Sequence, residues 1–278
     1  MKDLIQKKIE EYDCLTLEDE ENAVKEITQE VILFSLSRTD FFSKASFQGG
    51  SCLRIVHGLD RFSEDLDFVL NKVDLNFELS PYLAKVSQTM NVYGYDIEVT
   101  GKDKADSHIR KRFIKDDSLK KILNFRHYSD SAKKIKIKFE LDVNPPLGSA
   151  NDQEYLDFPI DFSIAVQNKP SLFAGKCHAL LCREYTKGRD WYDFSWYCSK
   201  KTKPNYILLS SALNQSGPWK NLNPKVNREW LLEMLQKKIK NINWDEAIKD
   251  ISRFLKPDKQ DQLSLWGTRF FLKKAAKI

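Results

Sequence analysis

No run in this 278-residue chain approaches the roughly 18 apolar residues that a membrane-spanning helix needs. The opening MKDLIQKKIEEYD also lacks the apolar stretch of a signal peptide, so the expectation is a cytoplasmic protein with no membrane partner. Paired cysteine motifs are missing as well. Cys14, Cys52, Cys177, Cys182 and Cys198 are odd in number and irregular in spacing, and none forms C-x-x-C. That argues against a zinc ribbon and for reduced thiols. Cys177, His178 and Cys182 do not have the spacing of a zinc site either. The remaining histidines, His57, His108 and His127, fall into no Ser-His-Asp arrangement, and the chain has no internal repeat or low-complexity run.

What is present is enough apolar material for a sizeable core, at 41% hydrophobic and 12% aromatic residues, inside a 31% charged composition. The length allows one large domain or two modest ones. Net charge is +5, unevenly spread: residues 217–278 carry +7 and the remainder −2. A basic C-terminal region is an electrostatic footing for nucleic acid. An ordinary solvated helix surface has the same charge count, and both readings stand at this point.

The most informative stretch is QGGSCLRIVHGLDRFSEDLDFVL, Gln48 to Leu70. Gly49-Gly50-Ser51 makes a turn whose backbone N–H groups can approach a phosphate, since glycine allows close contact and unusual dihedrals. Asp65-Leu66-Asp67-Phe68 alternates charged with apolar residues, so in a strand both carboxylates share one face. Two adjacent carboxylates repel unless a cation sits between them. Hard oxygen donors in such a pair suit Mg²⁺, with substrate phosphates as the further ligands, and Mn²⁺ is the alternative. A phosphate cradle beside metal carboxylates points to phosphoryl or nucleotidyl transfer.

With Arg61 and Ser63 in Arg-x-Ser-x-Asp-Leu-Asp-Phe, this pattern resembles the AbiEii/AbiGii-type toxin nucleotidyltransferases of the polymerase-beta-like superfamily. The likeness continues in Lys176 and in Lys187-Gly188-Arg189-Asp190-Trp191-Tyr192-Asp193, and it runs from about Phe47 to Tyr197. It implies an NTP-using enzyme that releases pyrophosphate, the toxin of a type IV toxin–antitoxin or abortive-infection system. The acceptor it implies is RNA, with the 3′ end of tRNA among the candidates, and the partner a separately encoded antitoxin. It also implies a third carboxylate on a strand beside Asp65 and Asp67, completing a two-metal site; Asp142 is the candidate and Asp161 the runner-up. Lys176 is implied in the nucleotide site and Asp190 in orienting Lys176 or the nucleotide. Gly49, Gly50, Ser51, Arg61 and Ser63 are the other nucleotide-binding candidates. Ser51 is equally readable as a helix N-cap, Arg61 as a brace through Glu64 or Asp60, and Arg189 and Asp193 as an i,i+4 ion pair. Two rival readings are a transferase acting on a small molecule or protein side chain and a non-enzymatic nucleotide-binding partner protein.

The pattern predicts an α+β fold, a small mixed sheet flanked by helices with a helical C-terminal region. The expected divisions are N-terminal helices over 1–45, a catalytic core over 46–168, and a helical domain over 169–278 that completes the site. Thr16-Leu17-Glu18-Asp19 resembles a capping box opening a helix to about Ser37. The nine acids between Ile9 and Glu30 read as a solvated helix face. Lys133–Val143, KKIKIKFELDV, reads as a strand with Ile135, Ile137, Phe139 and Leu141 on one face and Asp142 on the charged one. Asn76–Asn91 reads as a helix, Val92–Thr100 as a strand, 226–239 and 244–255 as helices, and Asn214–Pro224 as a linker. Trp191, Phe194 and Tyr197 read as core.

Overall fold

Strict alternation gives one strand a buried face and a more exposed one. In β5 (Ile135–Asp142), Ile135, Ile137, Phe139 and Leu141 are buried while the residues between them are partly or fully exposed. The structure, a computed structural model, describes residues 2–101, 107–116, 118 and 135–278; Lys133 and Lys134, expected in this strand, lie outside them.

Among the described residues the sheet has seven strands, in the order β3 (Ile97–Thr100), β4 (Ile109–Asp116), β5, β2 (Asp65–Leu70), β1 (Ala45–Gln48), β7 (Phe162–Gln167), β6 (Asn151–Leu156). Strands β2 and β5 run parallel, as do β1 and β7, whereas β1–β2, β3–β4 and β4–β5 are antiparallel. The fold is therefore the mixed α+β type expected. Two compact units emerge: Met1–Gly58, Phe62–Pro145 and Gln153–Val166 form one, and Leu59–Arg61, Pro146–Asp152 and Gln167–Ile278 form the other.

The first unit holds most of the sheet with α1 (Lys2–Glu10), α2 (Leu17–Ser37), α3 (Phe41–Lys44), α4 (Gly49–Ile55) and α5 (Ser80–Val92). Its centre is aromatic: Phe68 stacks on Phe139 at 4.6 Å between ring centroids, and Phe41 meets Phe68 edge-on at 5.2 Å. The capping box forms, with Thr16 accepting from the Asp19 N–H and Asp19 accepting from the Thr16 N–H. Helix α5 starts later than expected, with Pro81 in its first turn, where a missing N–H costs nothing. Val92 closes that helix instead of opening a strand.

The acid run departs from expectation. Asp19, Glu20, Glu26 and Glu30 are buried, because α2 packs on more than one side. Glu26 accepts from the Tyr12 hydroxyl at 2.9 Å and from Arg54 Nε at 2.8 Å. Burial pushes the Glu30 carboxyl up to about 8, helped by Glu26 and Asp157 and opposed by Lys8 and Arg54.

The second unit is helical: α6 (Lys169–Cys182), α7 (Gly188–Ser199), α8 (Tyr206–Gln215), α9 (Arg228–Lys240), α10 (Trp244–Ser252) and α11 (Thr268–Ala275). Asparagine sets four of the starts. Asn168, Asn205, Asn227 and Asn243 each accept an N–H from three residues on, which is worth about 1 kcal/mol apiece. Trp191, Phe194 and Tyr197 are buried as expected. Trp191 meets Trp244 and Phe271 edge-on at 5.2 and 5.3 Å. The segment Asn214–Pro224 is not a linker between units: it lies inside the second, and Asn214 ties it down by accepting from the N–H groups of Asn221 and Asn223. No described helix is long and apolar enough to cross a membrane.

Candidate active site

Strand β2 carries Asp65 and Asp67 half-buried on one face, while Leu66 and Phe68 go into the core. Antiparallel pairing sets Gln48 of β1 opposite Asp67, and the chain turns there at Gly49. Gly49 has φ +80°, and a Cβ at that position would lie 2.4 Å from Asp67 Oδ2. Only glycine leaves the Asp67 carboxylate room to stand where it does. Ser51 is fully buried, and its hydroxyl donates to the Asp65 carbonyl oxygen. That bond ties α4 to the carboxylate strand. The N-cap of α4 is Gln48, so Ser51 is not the capping residue. Gly50 lies in the first turn of α4, and the Ser63 carbonyl accepts from Gln29 Nε2 at 3.0 Å.

The parallel register of β2 and β5 decides which acidic residue neighbours this pair. Asp65 is opposite Lys138, Asp67 is opposite Glu140, and Asp142 is opposite Val69. The three-carboxylate cluster expected from Asp65, Asp67 and Asp142 is not assembled: among the described residues no three His, Cys, Asp or Glu side chains are grouped to hold a metal. Asp142 closes its strand, accepting from the Asn144 N–H at 2.9 Å, and burial raises its carboxyl above the ordinary value. Asp161 is exposed, one residue before β7. Glu140, which sequence reading passed over, is gripped by Lys138 at 2.6 Å and Lys111 at 2.9 Å. Burial opposes its ionisation, but those lysines outweigh it and hold the carboxyl below its ordinary value. Lys138 is held charged by Glu140 and by the field of Asp65 and Asp67, against the cost of burial.

The other candidates meet in the second unit. Lys176 of α6 reaches Asp190 at 2.7 Å and Asp193 at 2.8 Å, both on α7. Arg61, only 3% exposed, forks onto Asp193 with Nε–Oδ1 at 2.6 Å and a second bond at 2.7 Å. This pairing with Asp193 is one that sequence reading did not anticipate, and Glu64 pairs with Lys25. Arg183 adds a contact to Asp190 at 2.8 Å. The expected Arg189–Asp193 pair does not form; Arg189 faces Asp250 instead. Burial disfavours the charge on Asp190, but Lys176, Arg183 and Lys187 outweigh it and hold the carboxyl at about 2. Asp193 is likewise held low against burial by Arg61 and Lys176. Sequence reading set Arg183 at the end of a helical pattern and Lys187 in the family-like segment, but gave neither a place beside Asp190.

The Asp65–Asp67 pair fits a divalent cation of the Mg²⁺ or Mn²⁺ class. Both donors are hard oxygens on one face, and the glycine turn keeps the Asp67 carboxylate clear. Two protein carboxylates are also the usual share in a site completed by nucleotide phosphates.

Comparison with known proteins bears on this arrangement. Residues 31–270 match the model of the family described as the nucleotidyl transferase AbiEii toxin of a type IV toxin–antitoxin system. No curated protein matches the chain. Among solved structures, MenT4, a nucleotidyltransferase toxin of Mycobacterium tuberculosis H37Rv, aligns with a TM-score of 0.55 at 16% identity, covering 100% of this chain and 89% of that one. JHP933 from Helicobacter pylori aligns with a TM-score of 0.55 at 16% identity over 92% and 90% of the two chains. A candidate nucleotidyltransferase from H. pylori gives 0.52 at 17% identity over 90% and 89%. At these identities the likeness is one of fold.

Proposed function

From the premise that the chain belongs to the AbiEii nucleotidyltransferase toxin family of type IV toxin–antitoxin systems, we propose that it moves a nucleoside monophosphate from an NTP to RNA. The 3′ end of tRNA is the first acceptor to test, and the cation is Mg²⁺ held by Asp65 and Asp67. The observation that carries this reading is the pair itself: two carboxylates on one strand face with a glycine turn pressed against the second.

When bound, the cation neutralises phosphate charge and polarises the reacting phosphoryl group. The chain supplies the rest. Asp65 and Asp67 are fixed by β2, and Ser51 braces the glycine turn on the same strand through the Asp65 carbonyl. Backbone N–H groups of Gly50 and Ser51, in the first turn of α4, are suited to a phosphate oxygen. Glu140 holds Lys138 beside the pair, where its charge balances the two carboxylates. In the second unit Asp190 and Asp193 hold Lys176, the lysine that the family resemblance implies in nucleotide binding. The family carries with it an antitoxin as the protein partner.

The test is to incubate the protein with total RNA, Mg²⁺ and each α-labelled NTP in turn, then size the labelled products. Label in a discrete RNA class from one NTP is the expected result. Label in small molecules or protein only would replace the acceptor, and no label with any NTP would remove the reading.

A further inference from the structure

The positive charge of the second unit is unevenly placed along its sequence. Between Asp193 and Glu229 the chain has six lysines and arginines and no acid, and after Asp261 it has four and no acid. The helices between these stretches are of mixed sign. Helix α9 carries Glu229 and Glu233, and α10 carries Asp245, Glu246 and Asp250. Lys237 of α9 is already held by Glu233 at 2.6 Å.

The fold brings the two acid-free stretches together. Lys274 of α11 donates to the Ser199 hydroxyl at the end of α7, at 2.7 Å. Along α11 and the turn after it, Phe271, Ala275 and Ile278 go into the core. Helical spacing leaves Phe270, Lys273, Lys274 and Lys277 on the outer side, where Lys273 and Lys277 are exposed. Lys200 and Lys201, also exposed, follow α7 directly. Two partly exposed rings belong to the same surface: the Lys200 ammonium lies 5.9 Å from the Trp196 ring centroid and that of Lys274 5.3 Å from Phe270. Burial and the neighbouring Lys277 bring Lys274 below the ordinary lysine value. Among the described residues no carboxylate pairs with Lys200, Lys201, Lys273 or Lys277. The helix dipole favours a cation in the last turn of a helix, but it does not require that acids be absent around it. A face of one sign is the electrostatic complement of a polyanion.

We propose that the end of α7 and the outer side of α11 bind RNA by its phosphate backbone, through Lys200, Lys201, Lys273 and Lys277. This rests on the reading of RNA as the acceptor and gives that acceptor a binding surface. RNA is favoured over an acidic protein because Trp196 and Phe270 add ring faces on which an unpaired base can stack, whatever its identity. Asp190 stands at the start of the same α7, so the surface begins about 15 Å from it along the helix axis.

The experiment removes equal charge from two places. Lys200→Gln/Lys273→Gln/Lys277→Gln is compared with Lys237→Gln/Lys240→Gln/Lys249→Gln and with wild type. Each protein is titrated, without NTP, with a labelled single-stranded oligoribonucleotide at several salt concentrations and, separately, with polyglutamate. The first triple variant should bind RNA about tenfold or more weakly, and its slope of log affinity against log salt should fall by about two, at about 0.7 per single-strand phosphate contact. The second should change both less. Arginine at Lys200, Lys273 and Lys277 keeps the charge and should keep the binding. Thermal melts of all variants should stay close to wild type, because every substituted lysine is exposed. Equal losses in the two triple variants, undiminished RNA binding in the first, or failure of the arginine variant to bind would each overturn the inference. Polyglutamate binding as tight as RNA would also overturn it, in favour of an acidic protein partner. RNA binding through this face in a wild type that labels no RNA would keep the inference and remove the RNA-acceptor reading instead.

Discussion

The two carboxylates of β2 and the two of α7 live in opposite settings. Asp65 and Asp67 are half-exposed, side by side on a strand face, with Lys138 as the cation opposite. Asp190 and Asp193 are buried and outnumbered by Arg61, Lys176, Arg183 and Lys187. The first pair stands on a partly exposed strand face, and the second is buried against cations that keep its carboxyls ionised. On the proposed reading the first pair takes a metal ion, whereas the second holds buried cations in place, so the two sets of acids do different work although the residue type is the same. Glu30 is a third case. It is buried with too few cations near it, and there burial prevails.

If this contrast is right, removing an acid from each set has a different consequence. Asp67→Ala should lower monophosphate transfer by about a thousandfold or more, since metal-ligand loss removes several kcal/mol of transition-state stabilisation. Its circular dichroism and melting should stay close to wild type, because the lost group crowded its neighbour. Asp193→Ala should act on the fold instead. It leaves the Arg61 guanidinium buried without its fork partner, at a cost of about 3–5 kcal/mol in denaturant unfolding. An Asp193→Ala protein as stable as wild type would remove the distinction between the two sets.

Glu30 gives a pH test. Its folded-state value of about 8 lies above its ordinary 4.5, so the folded protein keeps a proton that the unfolded chain releases between those values. Stability contributed by Glu30 is present below pH 4.5 and declines as pH rises toward about 8. Glu30→Gln should therefore be more stable than wild type by roughly 1–3 kcal/mol at about pH 9 and nearly equal in acid. Parallel stability curves for the two proteins would contradict burial as the cause. The smallest effect concerns the basic region. Lys237, Lys240 and Lys249 are exposed, unlike Lys238, which donates to the Arg183 carbonyl at 2.6 Å. Changing those three to Glu should weaken RNA binding and flatten its salt dependence while leaving NTP affinity unchanged. Identical salt slopes would take this surface out of acceptor binding.

The strand carboxylates were legible because alternation is a local signal: Asp65-Leu66-Asp67-Phe68 states its own two faces. So was the capping box at Thr16, where three residues suffice. The choice among Glu140, Asp142 and Asp161 was not legible. It depends on register between β2 and β5, and a shift of two residues exchanges Glu140 for Asp142 opposite Asp67 while keeping the same face. The pairing of Arg61 with Asp193 spans 132 residues, and no spacing rule reaches that far. The acids of α2 misled for a related reason. Helical periodicity finds one apolar face but does not reveal that a helix packs on more than one side, with Glu26 shielded by Tyr12 and Arg54.

The most direct test is the fate of the phosphates. Wild type and an Asp65→Asn/Asp67→Asn double variant are given total RNA, Mg²⁺ and the preferred NTP, labelled once at the α- and once at the γ-phosphate. The account predicts that wild type puts α-label into RNA, releases one pyrophosphate per label and incorporates no γ-label, and that the double variant does neither. Incorporation of γ-label, or α-label transfer that survives in the double variant, would contradict it.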